Sequence, residues 1–358
     1  MSGEDGLSSG GHEGPTYRYF RWAFVTTALG LLLGAAVGWH TTGTLRGTVT
    51  VFLITAVLAV LEISLSFDNA IVNANKLKTM SPKWQRRFLT WGIVIAVFGM
   101  RILFPLLIVV LAANVGPWQA VGLALTQPDE YARIMHEAHL PIAAFGGSFL
   151  MMVGLSFFFD NEKDEHWMQW VESKMVNAAS IRGFEIMIVL LIILSFASFQ
   201  KSSVRSDVFF ISAIWGVLTF LIVEVIGALL DRSQGALKGA AQGGVGAFLY
   251  LEVLDASFSF DGVIGAFALS QNLLVIAIGL GVGAMYVRSM TIMLVERGTL
   301  KQYRYLEHGA FYAIIALAII MFVQSVVHVP EVVTGAGGVA IIGLSFWSSI
   351  RQNRAPSV

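Results

Sequence analysis

Long apolar stretches constrain the fold of this chain more than any other feature. Runs of about 20 apolar residues recur along it, and each is long enough to cross a hydrocarbon core of about 30 Å. Hydrophobic residues make up 56% of the 358 residues and charged residues only 13%, against about 25% charged in soluble domains. This composition excludes a soluble globular enzyme and a disordered chain. The absence of cysteine excludes disulfides and thiolate metal sites.

The apolar pattern predicts an all-α, polytopic membrane protein with about ten transmembrane helices. We expect one membrane domain over residues 21–350, with a flexible cytoplasmic tail at 1–20, a charged cytoplasmic linker at 160–182 and a second cytoplasmic tail at 351–358. The predicted spans are 22–39, 48–74, 89–112, 141–159, 183–199, 208–230, 242–269, 273–295, 308–328 and 332–349.

Basic residues predict the orientation of these spans. The densest cluster follows the second span and contains Lys76, Lys78, Lys83, Arg86 and Arg87. Because lysine and arginine collect in cytoplasmic loops, this cluster predicts a cytoplasmic N-terminus. The 23 basic and 23 acidic residues balance overall, so no net charge favours a nucleic-acid partner.

Two segments of the chain resemble each other. LEISLSFDNAIV at 61–72 and LDASFSFDGVIG at 254–265 share six of twelve residues, and each precedes a span with one arginine, Arg101 or Arg288. The two motif spans are the second and the seventh, so they cross the membrane in opposite directions. We therefore predict an inverted repeat, over about 48–160 and 242–350. Secondary transporters often have this architecture, with a site near the midplane.

Five carboxylates lie in the two motif spans, at Glu62, Asp68, Glu252, Asp255 and Asp261. A charged carboxylate at mid-bilayer costs about 2.5 kcal/mol or more unless it is paired or solvated. Arg101 and Arg288 are the predicted charge partners, but two arginines cannot neutralise five carboxylates. Either several carboxylates are protonated or a cation binds among them.

The candidate metal ligands are the oxygen-bearing side chains of the motifs. An oxygen-rich site without thiols suits Mn²⁺, Ca²⁺ or Mg²⁺. The predicted ligands are Glu62, Ser66, Asp68, Asn69, Glu252, Asp255, Ser259 and Asp261.

Helix geometry separates these ligands into two directions. At about 100° per residue, Glu62, Ser66 and Asn69 share one helix face, whereas Asp68 lies about 120° away from Glu62. Either each helix unwinds near its Ser-Phe-Asp sequence, or the aspartates face a second partner such as Arg101 or Arg288. Gly262 and Gly265 favour unwinding in the second motif, and the first motif has no such glycine.

With these residues identified, the sequence resembles the TerC family of integral membrane proteins, which is associated with tellurium-resistance clusters. The resemblance rests on Glu62-x-Ser64-x-Ser66-Phe-Asp68-Asn69, on Asp255-x-Ser257-x-Ser259-Phe-Asp261-Gly262, and on residues 80–101, which look like the branch without assigned function. It covers about 50–330. The resemblance implies export of manganese or another cation, as in the wider cation-exporter superfamily. It also implies a location in the bacterial plasma (inner) membrane.

Two functional hypotheses follow. The leading one is a secondary-active exporter of a divalent cation, Mn²⁺ before Ca²⁺, in exchange for protons. The alternative is a non-transporting membrane scaffold of a tellurite or metal-stress resistance complex, whose linker 160–182 recruits cytoplasmic stress proteins. On either hypothesis we expect a lipid bilayer as partner, no nucleic acid, no cofactor, no catalytic residues and no enzymatic activity.

Overall fold

The computed structural model describes residues 16–92, 94–160, 165–178, 181, 183–235, 244–327 and 329–354. Throughout these residues the secondary structure is helical, without strands. The prediction of an all-α fold is therefore confirmed.

The helices follow the predicted spans, with several breaks. Two π-helical segments, Phe88–Gly92 and Ile95–Leu103, separate α4 from α5. The α-helices are α1 (Tyr17–Thr42), α2 (Leu45–Leu65), α3 (Phe67–Lys78), α4 (Pro82–Arg87), α5 (Phe104–Ala112), α6 (Pro117–Thr126), α7 (Pro128–Glu137), α8 (His139–Phe158), α9 (Gln169–Ala178), α10 (Phe184–Ser198), α11 (Ser203–Gly235), α12 (Val245–Leu269), α13 (Leu273–Glu296), α14 (Thr299–Gln302), α15 (Leu306–Gln324) and α16 (Glu331–Arg354).

The outer surface of the helix bundle is apolar. Leu32, Val60 and Leu111 are 67%, 66% and 73% exposed, which suits contact with lipid. Among the described residues, seven helices are long and apolar enough to cross a membrane, or eight if a pair bent by 108° counts as one span. The chain is therefore a multi-pass membrane protein. The count of ten spans and the inverted repeat stay predictions.

The two motif spans differ in their continuity. The first breaks at Ser66, which ends α2 and precedes α3 with φ −104° and ψ 17°. The second is the unbroken helix α12, so the expectation that Gly262 and Gly265 would unwind it is wrong. Gly262 instead permits close approach, because a Cβ added there would lie 3.2 Å from Glu62 Oε2.

The motif helices pack against each other's companion segments. Helices α2 and α3 contact α13, while α12 contacts the π-helical segment that carries Arg101. Glycines bring α2 and α13 together, since a Cβ added at Gly279 would lie 2.6 Å from Leu58 Cβ, and one at Gly283 would lie 2.4 Å from Glu62 Cβ. This exchange of partners places both motifs around one interior region.

The predicted tails and linker are only partly described. Helix α1 begins at Tyr17, inside the predicted tail 1–20, and residues 1–15 lie outside the described residues. Helix α16 extends to Arg354, inside the predicted tail 351–358, and 355–358 lie outside them. The linker 160–182 contains α9, and its residues 161–164, 179, 180 and 182 are likewise outside.

Candidate functional site

A cavity of about 50 Å³ lies where the two motifs meet. Its walls come from α2, α3, the π-helical segments, α12 and α13, and its apolar side includes Phe88 and Val287. We call it the central cavity. Its polar lining comprises Glu62, Asn69, Asn73, Arg101, Asp255, Ser259, Arg288 and Thr291.

A buried ion pair occupies one side of the central cavity. Arg101 donates through one guanidinium nitrogen to Glu62 Oε1 and through the other to Ser259 Oγ, at 3.0 Å. The Ser66 hydroxyl also donates to Glu62 Oε1, at 2.9 Å. Glu62 and Arg101 are 1% and 4% exposed. Arg101 therefore neutralises the first motif's glutamate and links it to the second motif.

Asparagine amides hold the second carboxylate of the cavity. Asn73 Nδ2 donates to Asp255 Oδ1 at 2.9 Å, and the Asn69 side chain also hydrogen-bonds to Asp255. Within the described residues, the Oδ1 atoms of Asn69 and Asn73 are buried without a hydrogen-bond partner. Two carboxylates and two amide oxygens therefore lie close together.

Sequence reasoning missed Asn73 and Thr291. Asn73 follows Asn69 by four residues, so the two side chains share a helix face. The same periodicity that joined Glu62, Ser66 and Asn69 could therefore have identified Asn73. Thr291 donates to a backbone oxygen of its own helix, that of Val287, at 3.0 Å, and the sequence held no signal for it.

Arg288, on α13, also lines the central cavity. It donates to the backbone carbonyl of Leu89 at 2.6 Å. This bond ties α13 to the π-helical segment Phe88–Gly92. Arg288 therefore brings a positive charge to the cavity wall while holding two of its elements together.

Asp68 points away from the central cavity, as its helical angle from Glu62 indicated. It lines a second cavity of about 30 Å³ with Ser64 and Thr334, between α2, α3, α15 and α16. Its Oδ1 accepts a hydrogen bond from its neighbour's backbone N–H, that of Asn69, at 2.9 Å. The break at Ser66 therefore does not turn Asp68 toward Glu62.

The two remaining predicted ligands belong to α12. Glu252 is 8% exposed, and neither of its carboxylate oxygens has a hydrogen-bond partner among the described residues. Glu252 is next to Gly92, which lines the central cavity, because a Cβ added at Gly92 would be 3.2 Å from Glu252 Oε1. The side chain of Asp261 lies outside the described part of the chain.

The described side chains do not form a ready metal centre. No group of three or more His, Cys, Asp or Glu residues in the described part of the chain could hold a metal ion. The central cavity offers two carboxylates with neutral amide and hydroxyl oxygens, and Arg101 already occupies one carboxylate. A cation that bound both carboxylates would compete with Arg101 for Glu62.

The apolar bundle and its buried polar cavity define the class, a multi-pass helical membrane protein with an ionisable interior. Comparison with known families identifies the chain more closely. Residues 67–356 match the family described as "Protein of unknown function (DUF475)", and the chain belongs to that family. Comparisons with curated proteins and with solved structures found no match.

Proposed function

We propose that this protein is a secondary-active exporter of a divalent metal cation, with Mn²⁺ as the expected cargo, in the bacterial plasma membrane. The observation that carries the proposal is the meeting of both acidic motifs at one buried cavity. The resemblance of the motifs to the TerC family supports the same cargo. Exchange for protons and a cytoplasmic N-terminus remain parts of the proposal.

The oxygen atoms of the central cavity support a hard cation as cargo. Glu62 and Asp255 supply carboxylates, and Asn69 and Asn73 supply the buried amide oxygens described above. Carboxylate and amide oxygens suit Mn²⁺, Ca²⁺ and Mg²⁺ rather than soft ions. The proposed site therefore comprises these four residues, with Ser259 beside them.

Arg101 has a specific part in the proposed cycle. Its guanidinium neutralises Glu62 when no cargo is bound, so the buried carboxylate never lacks a counter-charge. Cargo binding would displace Arg101, and cargo release would let it return. The cation and Arg101 would thus pair with the Glu62 carboxylate in turn.

Asp68 has a different place in the proposal from the one expected from the sequence. It lines the second cavity, so we exclude it from the cargo ligands and keep it as a candidate for the coupled proton. We predict that neutralising Asp68 or Asp261 abolishes transport.

Mn²⁺ flux into proteoliposomes tests the proposal. Purified protein is reconstituted with a trapped Mn²⁺-sensitive dye, with and without a pH gradient, and wild type is compared with Asp255→Asn. We expect Asp255→Asn to reduce flux at least tenfold, because it removes one of two carboxylates from the site. Asp129→Asn makes the same change at an exposed position and should leave flux unchanged. Absence of flux in wild type under every gradient would refute the proposal.

The scaffold alternative makes a different prediction about the linker. Glu172, in the linker helix α9, is fully buried and accepts a hydrogen bond from the Tyr312 hydroxyl at 3.1 Å. This contact directs one side of the linker toward the membrane domain, so that side is unavailable to a soluble partner. Deletion of the linker with full retention of flux would show that transport does not need the linker.

A further inference from the structure

Helix α9 is fixed to the membrane domain by one buried carboxylate. Glu172 is 0% exposed. Its Oε1 accepts hydrogen bonds from the Tyr312 hydroxyl at 3.1 Å and from the backbone N–H groups of Met168 and Trp167 at 3.1 and 3.3 Å. The carboxylate therefore fixes both the position of α9 and its rotation about its own axis.

Two histidines extend this anchor. His166 Nδ1 and His308 Nε2 each lie 3.3 Å from Glu172 Oε2. His308 Nε2 also lies 2.8 Å from the backbone oxygen of Glu165. Because both neighbours of Nε2 are acceptors, Nε2 carries the hydrogen. The linker is thus attached to α15 through several polar contacts of one side chain.

The opposite face of α9 carries an aromatic residue and a cation. Trp170 precedes Glu172 by two residues and Lys174 follows it by two, so both point about 160° away from the buried side of the helix. Trp170 is 72% exposed and Lys174 is also exposed. Lys174 Nζ lies 5.6 Å from the centre of the Trp170 ring. The outward face therefore presents one compact cation–aromatic pair.

Helix α9 packs near the beginning of α15, which belongs to a predicted span. Its anchor Tyr312 lies six residues after the start of α15, which is about 9 Å along that helix. Tryptophan and lysine are typical of the headgroup region of a bilayer, where one end of each side chain is apolar and the other is polar. An exposed tryptophan at this position suits contact with lipid headgroups.

A second cation–aromatic pair lies near the end of α16. Arg351 lies 5.9 Å from the Trp347 ring near the end of α16, and Trp347 is 60% exposed. Asn353 Nδ2 donates to the Gln302 backbone oxygen at 2.8 Å, and Arg304 forms an ion pair with Glu165 of the linker. These contacts connect the end of α16 with the linker, so both pairs belong to one surface.

We propose that the outward face of α9, formed by Trp170 and Lys174, binds the headgroup of an anionic phospholipid. The ring packs among glycerol and upper acyl groups while the ammonium group contacts the phosphate. Lys174 supplies the charge complementarity, because basic side chains near a surface attract anionic lipids. Glu172 holds the pair in the orientation that this contact requires. The proposal is independent of any transported cargo.

Site-specific quenching tests this proposal in the full-length protein. The chain has no cysteine, so Gln169→Cys, at an exposed position next to Trp170, gives one site for a fluorescent label. The protein is reconstituted in phosphatidylcholine vesicles that contain a small, equal fraction of spin-labelled phosphatidylglycerol or spin-labelled phosphatidylcholine. The spin label is placed near the headgroup end of the acyl chain.

We expect phosphatidylglycerol to be enriched roughly fivefold near the label at low salt, the effect of one basic side chain at the surface. Lys174→Gln should remove the enrichment, and so should 1 M salt, where the Debye length falls to about 3 Å. Lys201→Gln is the matched control, because Lys201 is exposed beyond the far end of α10. It should preserve the enrichment.

Two results would overturn the proposal. Equal quenching by the two lipids would mean that α9 lies in the membrane without selecting an anionic headgroup. Quenching by aqueous iodide, with none by either lipid, would mean that Trp170 faces water and that the surface serves a soluble protein. The salt series uses the labelled parent protein, so it tests the enrichment of phosphatidylglycerol even where Lys174→Gln folds poorly.

Discussion

Replacing Arg101 by methionine tests whether this arginine takes the place of a cation. The substitution keeps a long apolar side chain but removes the positive charge next to Glu62, whose side chain is 2% exposed. Removing one partner of a buried ion pair costs about 3–5 kcal/mol. That is roughly two to four orders of magnitude in the unfolding equilibrium constant. We expect Arg101→Met to be destabilised by this amount without Mn²⁺.

Manganese should restore much of that lost stability. In the variant, Mn²⁺ no longer competes with the Arg101 guanidinium for the Glu62 carboxylate, so the variant should bind Mn²⁺ more tightly than wild type. A ligand at 100 times its dissociation constant adds about 2.7 kcal/mol to the free energy of unfolding. The assay is equilibrium unfolding in mixed detergent micelles, with and without Mn²⁺, for wild type and variant.

Arg46→Met is the control for this experiment. Arg46 is exposed at the start of α2, so its loss should change neither stability nor the response to Mn²⁺. If Mn²⁺ stabilises Arg101→Met no more than it stabilises wild type, the cation and the arginine do not share Glu62. In that case the ion pair serves only to hold α2 and the π-helical segment together.

Two further predictions concern helix packing and the linker anchor. Gly283→Ala should lower the free energy of unfolding by about 1–3 kcal/mol, because the added Cβ would lie 2.4 Å from Glu62 Cβ. Gly343→Ala, with open space around it, should leave the free energy of unfolding unchanged. Equal unfolding midpoints for the two variants would contradict the packing argument. Glu172→Gln should speed tryptic cleavage at Lys174 at least tenfold, since hydrogen bonds to a charged group contribute about 1.5–3 kcal/mol to stability. An unchanged cleavage rate would show that the Glu172 carboxylate does not hold α9 in place.

The sequence predicted the features that depend on composition and periodicity. Apolar runs indicated the helical membrane fold, and helix periodicity alone separated Asp68 from Glu62. In each case, the relevant information lies within one helix or in the local chemistry of one residue.

Features that depend on contacts between helices could not be predicted in this way. The sequence predicted Arg101 as a charge partner of the motif carboxylates, but Arg101 and Glu62 are 39 residues apart. Nothing in the spacing of either motif indicates which of the five carboxylates Arg101 pairs with. Gly262 suggested a break because glycine weakens a helix, yet the same residue lets Glu62 approach α12. Ser66 breaks its helix although it is not a typical helix breaker. Only the packed arrangement of helices distinguishes these outcomes.

The charges in the central cavity suggest why the proposed site contains arginines at all. Glu62 and Asp255 contribute two negative charges when ionised, and Arg101 and Arg288 contribute two positive ones, so these four groups balance without cargo. After it releases its ion, an exporter must return its empty binding site to the cytoplasmic side. Unbalanced charge in the membrane interior would make that step costly. Arg101 lies in the π-helical segment Ile95–Leu103, and π-helical turns are frequent at functional sites. A small change in the register of that segment would withdraw Arg101 from Glu62. The same motion would expose both carboxylates to an arriving divalent ion.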